Sequence, residues 1–170
     1  IRVGYGAINL NPVIVKDVAR FSKNDQNGQK KAFFSWLHTK QASGGTPFHT
    51  ALDAAGDYYK TSDVPWQSDT GDSLLECRQS YTILMTDGYY TSTLDVGNQD
   101  NSDGATIVGP LVAGREQKSY AYRPSGPFKD NASETLADVA MKYWKEDLKP
   151  ELPNTVPTSD PSFNPAFWQH

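Results

Sequence analysis

Two short stretches carry residues whose types and spacing suit the binding of a cation. Gly44-Gly45-Thr46-Pro47 places a threonine at the mouth of a helix whose apolar stripe begins at Phe48. Some thirty residues on, Tyr81-Thr82-Ile83-Leu84-Met85-Thr86-Asp87-Gly88 is an apolar run that delivers a carboxylate where it turns. In an open α/β sheet, ligands gather where loops leave the C-terminal ends of the strands. A hydroxyl facing a carboxylate there offers hard oxygens, which suits magnesium, manganese or calcium. Taken singly, Thr46 is an N-cap before a proline in the first helical position, and Asp87-Gly88 is a turn. Their coincidence makes a candidate site.

Other chemistry fails on spacing. Gly71-Asp72-Ser73-Leu74 spells a serine-esterase signature, but that nucleophile belongs at the end of a buried strand, with an Asp-x-x-His late in the chain to supply its base. The residues before it, Trp66 to Thr70, are mostly polar, and none of His38, His49 and His170 has an aspartate three positions earlier. Gln99-Asp100-Asn101-Ser102-Asp103-Gly104 resembles the start of a calcium loop, with Gln99 where the first aspartate belongs and Pro110 where the bidentate glutamate belongs; it reads as a polar loop turning at Gly104. No second histidine or thiol stands at zinc spacing from His38 or His49. Tyr89, Tyr90, Tyr120 and Tyr122 are candidates for a contact surface or for packing of a long loop.

Which elements must position these residues? A chain of 170 residues is one domain by length. Its 37% apolar fraction, with 11 Pro and 13 Gly, implies long irregular stretches on a modest core. Net charge is 16 minus 20, or −4, without a basic run, so nucleic acid and anionic membrane are not expected partners. No apolar run reaches the roughly 20 residues of a membrane span, and no signal peptide is visible. Both ends, Ile1-Arg2-Val3 and Phe167-Trp168-Gln169-His170, read as cut from something longer. The single Cys77 is expected to have a partner elsewhere in a parent chain, or to be a free or small buried thiol.

Arg2 to Asn9 alternates and is rich in Val, Tyr and Ile, as a strand buried on one face does. Val13, Val15 and Val18 suit a β-ribbon. Phe33, Phe34, Trp36 and Leu37 give a helix over 29–41. Phe48, Leu52, Ala55 and Tyr59 give another over 47–60, with Thr46 as its N-cap. Tyr81 to Met85 is the short apolar run of a strand in a sheet covered on both faces. Leu136, Val139, Ala140, Tyr143 and Trp144 mark a helix within 131–147. The fold expected is an α/β three-layer sandwich around a mostly parallel sheet. Arg2–Asn9 and Tyr81–Met85 share that sheet, the 47–60 and 131–147 helices pack on it, and insertions lie at about 61–80 and 89–130.

Gly44-Gly45-Thr46 and Thr86-Asp87-Gly88 resemble two parts of the metal-ion-dependent adhesion site of von Willebrand factor A domains. The first part, an Asp-x-Ser-x-Ser loop, is absent. The order of Arg2-Val3-Gly4-Tyr5-Gly6, Gly44-Gly45-Thr46-Pro47, Cys77-Arg78-Gln79, Ile83 to Tyr89, Thr135 to Met141 with Tyr143-Trp144, Asp147-Leu148 with Pro150, and Pro165 to His170 is similar to that of the PilY-type proteins of the bacterial type IV pilus. The resemblance implies one partial, Rossmann-like A-type domain over 1–170 from an extracellular pilus-tip or outer-membrane protein. It implies binding rather than catalysis: adhesion to a host or other surface ligand, pilus assembly with the minor subunits and the rest of the parent chain, and mechanical sensing. Thr46 and Asp87 would face each other at the sheet edge and share a divalent cation in the parent, held weakly or not at all by this chain. The competing readings are a metal-dependent hydrolase using Asp87, which needs more carboxylates or a histidine at the same strand ends, and a structural scaffold.

Overall fold

The computed structural model describes residues 1–23, 28–86, 88–111, 113–114 and 116–156. Its first unit is a hairpin. β1 (Arg2–Gly6) pairs antiparallel with β2 (Ile14–Arg20), Arg2 opposite Arg20 and Val3 opposite Ala19, with register shifts before Tyr5–Lys16 and Gly6–Ile14. Helix α1 (Gln29–Thr39) packs on it. Phe33 meets Tyr5 and Phe21 with ring centroids 5.3 and 5.9 Å apart, and Trp36 meets Tyr5 at 5.0 Å. The buried Gln29 amide donates to the carbonyls of Val3 and Asp17, both at 2.7 Å, which ties both strands to the start of the helix.

Helices α2 (Phe48–Thr61) and α3 (Leu136–Trp144) pack on one another. Gly56 faces the Tyr143 ring, Lys142 pairs with Asp53 at 2.7 Å, and Lys60 pairs with Glu146 at 2.6 Å. Thr135 and Asp138 form a capping box at the start of α3. Beyond α3's other flank, β3 (Ile107–Val108) and β4 (Ser119–Tyr120) form a second antiparallel pair. There the buried Tyr122 meets Trp144 edge-on at 5.9 Å. The 61–80 stretch is irregular and anchored by Trp66, fully buried, whose indole N–H donates to the Tyr59 carbonyl at 3.1 Å.

The helices and the first strand match the sequence reading within a few residues; the sheet does not. Among the described residues there are two separate two-stranded antiparallel sheets, so the architecture is a small mixed α/β fold and not a mostly parallel, Rossmann-like three-layer sandwich. Tyr81–Met85 is not a strand; Tyr81, Ile83 and Met85 are 75%, 84% and 82% exposed. A central strand needs ladder partners on its flanks and cover on both faces. β1 has instead paired with its sequence neighbour β2, which closes a short loop where a parallel pairing to residue 81 would close one many times longer. The Tyr81 carbonyl takes the Tyr59 hydroxyl at 3.0 Å. With no broad sheet to lie on, α2 and α3 bury their stripes against each other.

Candidate functional site at the start of the second helix

The turn before α2 is held by Thr91. Thr46 N–H donates to the Thr91 hydroxyl at 3.0 Å, and the Thr46 carbonyl accepts from the N–H of Thr91 at 3.0 Å and of Phe48 at 2.8 Å. This clasp sets where the helix begins, and it corrects one expectation. The N-cap is Pro47, not Thr46, and no side chain caps the helix start. Pro47 has no side-chain oxygen, and Thr46 lies one position too early to reach the N–H groups a cap satisfies. The first turn holds no acidic residue either. The positive end of α2 is therefore uncompensated by its own side chains, which favours an anion or a carboxylate-bound cation there.

Behind this turn lies a residue that the spacing of ligands did not single out. His49 is fully buried, neither ring nitrogen has a hydrogen-bond partner, and its ring meets that of Tyr90 edge-on at 4.7 Å. Tyr89 and Tyr90 continue the rim and are exposed, whereas Tyr122 is buried and Tyr120 packs on Trp144, so the four tyrosines do not make one surface. Burial pushes the Tyr59 phenol above its ordinary pKa, with the Thr82 hydroxyl pulling partly back, which places the start of the 81–86 segment beside α2. No local sequence pattern marks His49 or Thr91, because their proximity comes from the return of the chain at 88–92.

Asp87 lies outside the described residues, so its placement opposite Thr46 does too. Among the described residues no group of three or more His, Cys, Asp and Glu is placed to hold a metal ion. Asp53 and Asp57, the nearest carboxylates along α2, both accept from the Tyr143 hydroxyl, at 2.8 and 2.9 Å. Ser73 is exposed in a turn closed by Ser68 N–H donating to its carbonyl at 2.7 Å and by the Gln67–Leu74 bridge, not at a strand end. His38 is exposed and stacks on Phe34. Cys77 is free and exposed. A concavity of about 680 Å³, lined by Val108, Leu111, Leu152 and Asn154 among others, shares no residue with the α2 turn. No described helix is long and apolar enough to cross a membrane.

No family model matches the chain, and no solved structure does. Three curated proteins, each described as type IV pilus biogenesis factor PilY1 of Pseudomonas aeruginosa, do. The chain is 34% identical over 189 residues to that of strain UCBPP-PA14, covering 100% of this chain and 15% of the relative. It is 34% identical over 167 residues to that of strain PAK, covering 86% and 14%. For strain PAO1 the figures are 32% over 166 residues, 86% and 14%. The chain thus spans about 15% of the length of the curated relatives it matches. The homology is to a pilus biogenesis factor rather than to an enzyme, and it runs through the hairpin, the α2 turn and α3 alike. At the level of family, this chain is homologous to a segment of the type IV pilus biogenesis factor PilY1.

Proposed function

We propose that this chain is a binding module of a type IV pilus-associated protein, acting outside the cell in pilus assembly and surface adhesion, with no reaction of its own. The observation that carries this reading is the alignment of its whole length, at 34% identity, with PilY1. The uncapped start of α2, rimmed by exposed tyrosines, is the face proposed for the partner. Thr46 and Asp87 contribute two oxygens toward a divalent cation that bridges to a partner carboxylate. A hard cation takes six or more oxygens, so two protein ligands leave its shell mostly water, and the remainder of the shell belongs to sequence outside these residues. The pilus minor subunits and a host or surface ligand are the proposed partners. A hydrolase using Asp87 has no such support.

A scaffolding reading is favoured by one observation, the exposed apolar side chains of Ile83 and Met85. Calorimetric titration with magnesium, manganese and calcium separates the two. For residues 1–170 we expect no binding tighter than millimolar. For a longer polypeptide carrying the preceding sequence we expect binding that Thr46→Ala and Asp87→Ala each abolish. Micromolar binding by residues 1–170 would mean that other groups complete a different site. Absence of any binding by the longer polypeptide would leave scaffolding as the function.

A further inference from the structure

Six residues, Gln99 to Gly104, wrap a buried ammonium group. Lys145, which follows α3, is 5% exposed. Its Nζ donates to the carbonyls of Gln99 at 2.8 Å and Ser102 at 3.2 Å and to the Ser102 hydroxyl at 2.6 Å. An ammonium has three N–H donors, and one loop satisfies them all. The loop's outer bonds hold it in that shape. Gln99 N–H donates to Asp138 at 2.7 Å, Tyr122 hydroxyl to the Asp100 carbonyl at 2.7 Å, and Gly104 N–H to the Tyr122 carbonyl at 3.0 Å. Gly104 is required by approach alone, because a Cβ there would stand 2.9 Å from the Lys145 carbonyl and 3.0 Å from its Cβ.

The charges around Nζ are also those of a cation site. Asp100 is 8% exposed, and while Oδ2 accepts from Asp130 N–H at 3.0 Å, Oδ1 is buried without a partner. Asp103 pairs outward with Arg123 at 2.7 Å. Burial lowers the Lys145 pKa, while Glu146, Asp100, Asp103 and Asp138 favour its charged form. Backbone carbonyls, a hydroxyl and carboxylates around one point are the oxygen set a calcium ion takes, and the sequence here is the one that resembles a calcium loop.

We infer that Lys145 Nζ is the resident cation of the 99–104 loop: the loop is a site for a small hard cation, filled by the chain's own ammonium, and it keeps its shape without metal. The site shares no residue with the α2 turn, so its test is independent of the proposed function. Three measurements on the 170-residue chain decide it. In the wild-type protein, a ¹⁵N–¹H correlation spectrum should show one slowly exchanging lysine ammonium, absent from Lys145→Met; a wild-type spectrum without it overturns the inference. Lys145→Met, which keeps the stem and removes the charge, should lower Tm, and an unchanged Tm would show that only the stem matters. Lys145→Ala opens the space. Its Tm should rise by about 3–5 °C in about 10 mM calcium if Kd is about 1 mM, at matched ionic strength, while the wild type does not move. A folded Lys145→Ala protein that ignores calcium overturns the cation-receiving role, and where that variant does not fold, the wild-type ammonium signal is decisive.

Discussion

The ring of Tyr143 occupies the space that a side chain on Gly56 would need: a Cβ there would lie 2.4 Å from three ring atoms. The ring cannot swing aside, because its hydroxyl donates to Asp53 at 2.8 Å and to Asp57 at 2.9 Å on the same helix. Gly56→Ala would ordinarily gain about 1 kcal/mol in a helix interior. Here the overlap, which costs about 1–3 kcal/mol or more in a packed core, wins. Thermal unfolding should show a lower Tm for this variant, and a rise would mean that α2 and α3 are not in contact at this point.

The alkaline limb of stability should be steep. Burial is the main cause pushing the Tyr58 phenol up to about 12, with Asp17 adding to the shift and the Val18 N–H opposing it. Burial also raises Tyr143, as do its bonds to Asp53 and Asp57. A raised folded pKa means stability that is complete below the unfolded value of 10.0 and is lost as pH rises through the folded value; for Tyr58 the window runs from 10.0 to about 12. Tm measured across that window should fall less for Tyr58→Phe than for the wild type. Equal slopes would show that the phenol is not buried.

The acid limb has a different origin. Burial pushes Asp138 up, but bonds from the Thr135 N–H and hydroxyl and from the N–H groups of Gln99 and Asp100 outweigh it, so its pKa lies below the usual 3.8. A depressed carboxylate contributes stability that is complete above its unfolded value and lost as pH falls through the folded one. Thr135→Ala should cost about 1 kcal/mol as a lost cap, and Asp138→Asn about 2 kcal/mol at neutral pH because charged-acceptor bonds go with it. The Asn variant should also lose less stability than the wild type on going below pH 3.8. Chemical denaturation at two pH values measures both.

The 81–85 segment offers the opposite test. Ile83 and Met85 are 84% and 82% exposed, so Ile83→Lys and Met85→Lys should change stability by less than about 0.5 kcal/mol each, while improving solubility. A loss of several kcal/mol would return this segment to a buried strand.

What the sequence made legible was local. Phe33 with Trp36, Leu52 with Ala55 and Tyr59, and Val139 with Tyr143 mark their helices because each stripe is written within a dozen residues. The partner of each stripe is not written there. Tyr81–Met85 has the composition of a central strand, yet a strand exists only through its neighbours, and β1 found the nearer one. The site followed the same division. Thr46 was visible as a turn residue before a helix, but its clasp with Thr91 and the burial of His49 under Tyr90 depend on a chain return forty residues away. Lys145 lay in plain view at the end of a well-marked helix, and nothing in its surroundings there announced that it would fill the 99–104 loop.

One contact near the chain start has a mechanical consequence. The Arg2 guanidinium donates to the carbonyl of Val18 at 2.9 Å, to that of Val64 at 3.1 Å, and to that of Gln67, and the Gln67 carbonyl also receives Arg78 at 2.7 Å. A planar fork of five donors spreads such bonds over two directions at once. A pull applied through Ile1 therefore does not simply peel β1 from β2 one rung at a time. It loads a node joined to the segment after α2, so the hairpin and that segment must yield together. Tension on the leading end is carried into the body of the molecule by a single side chain.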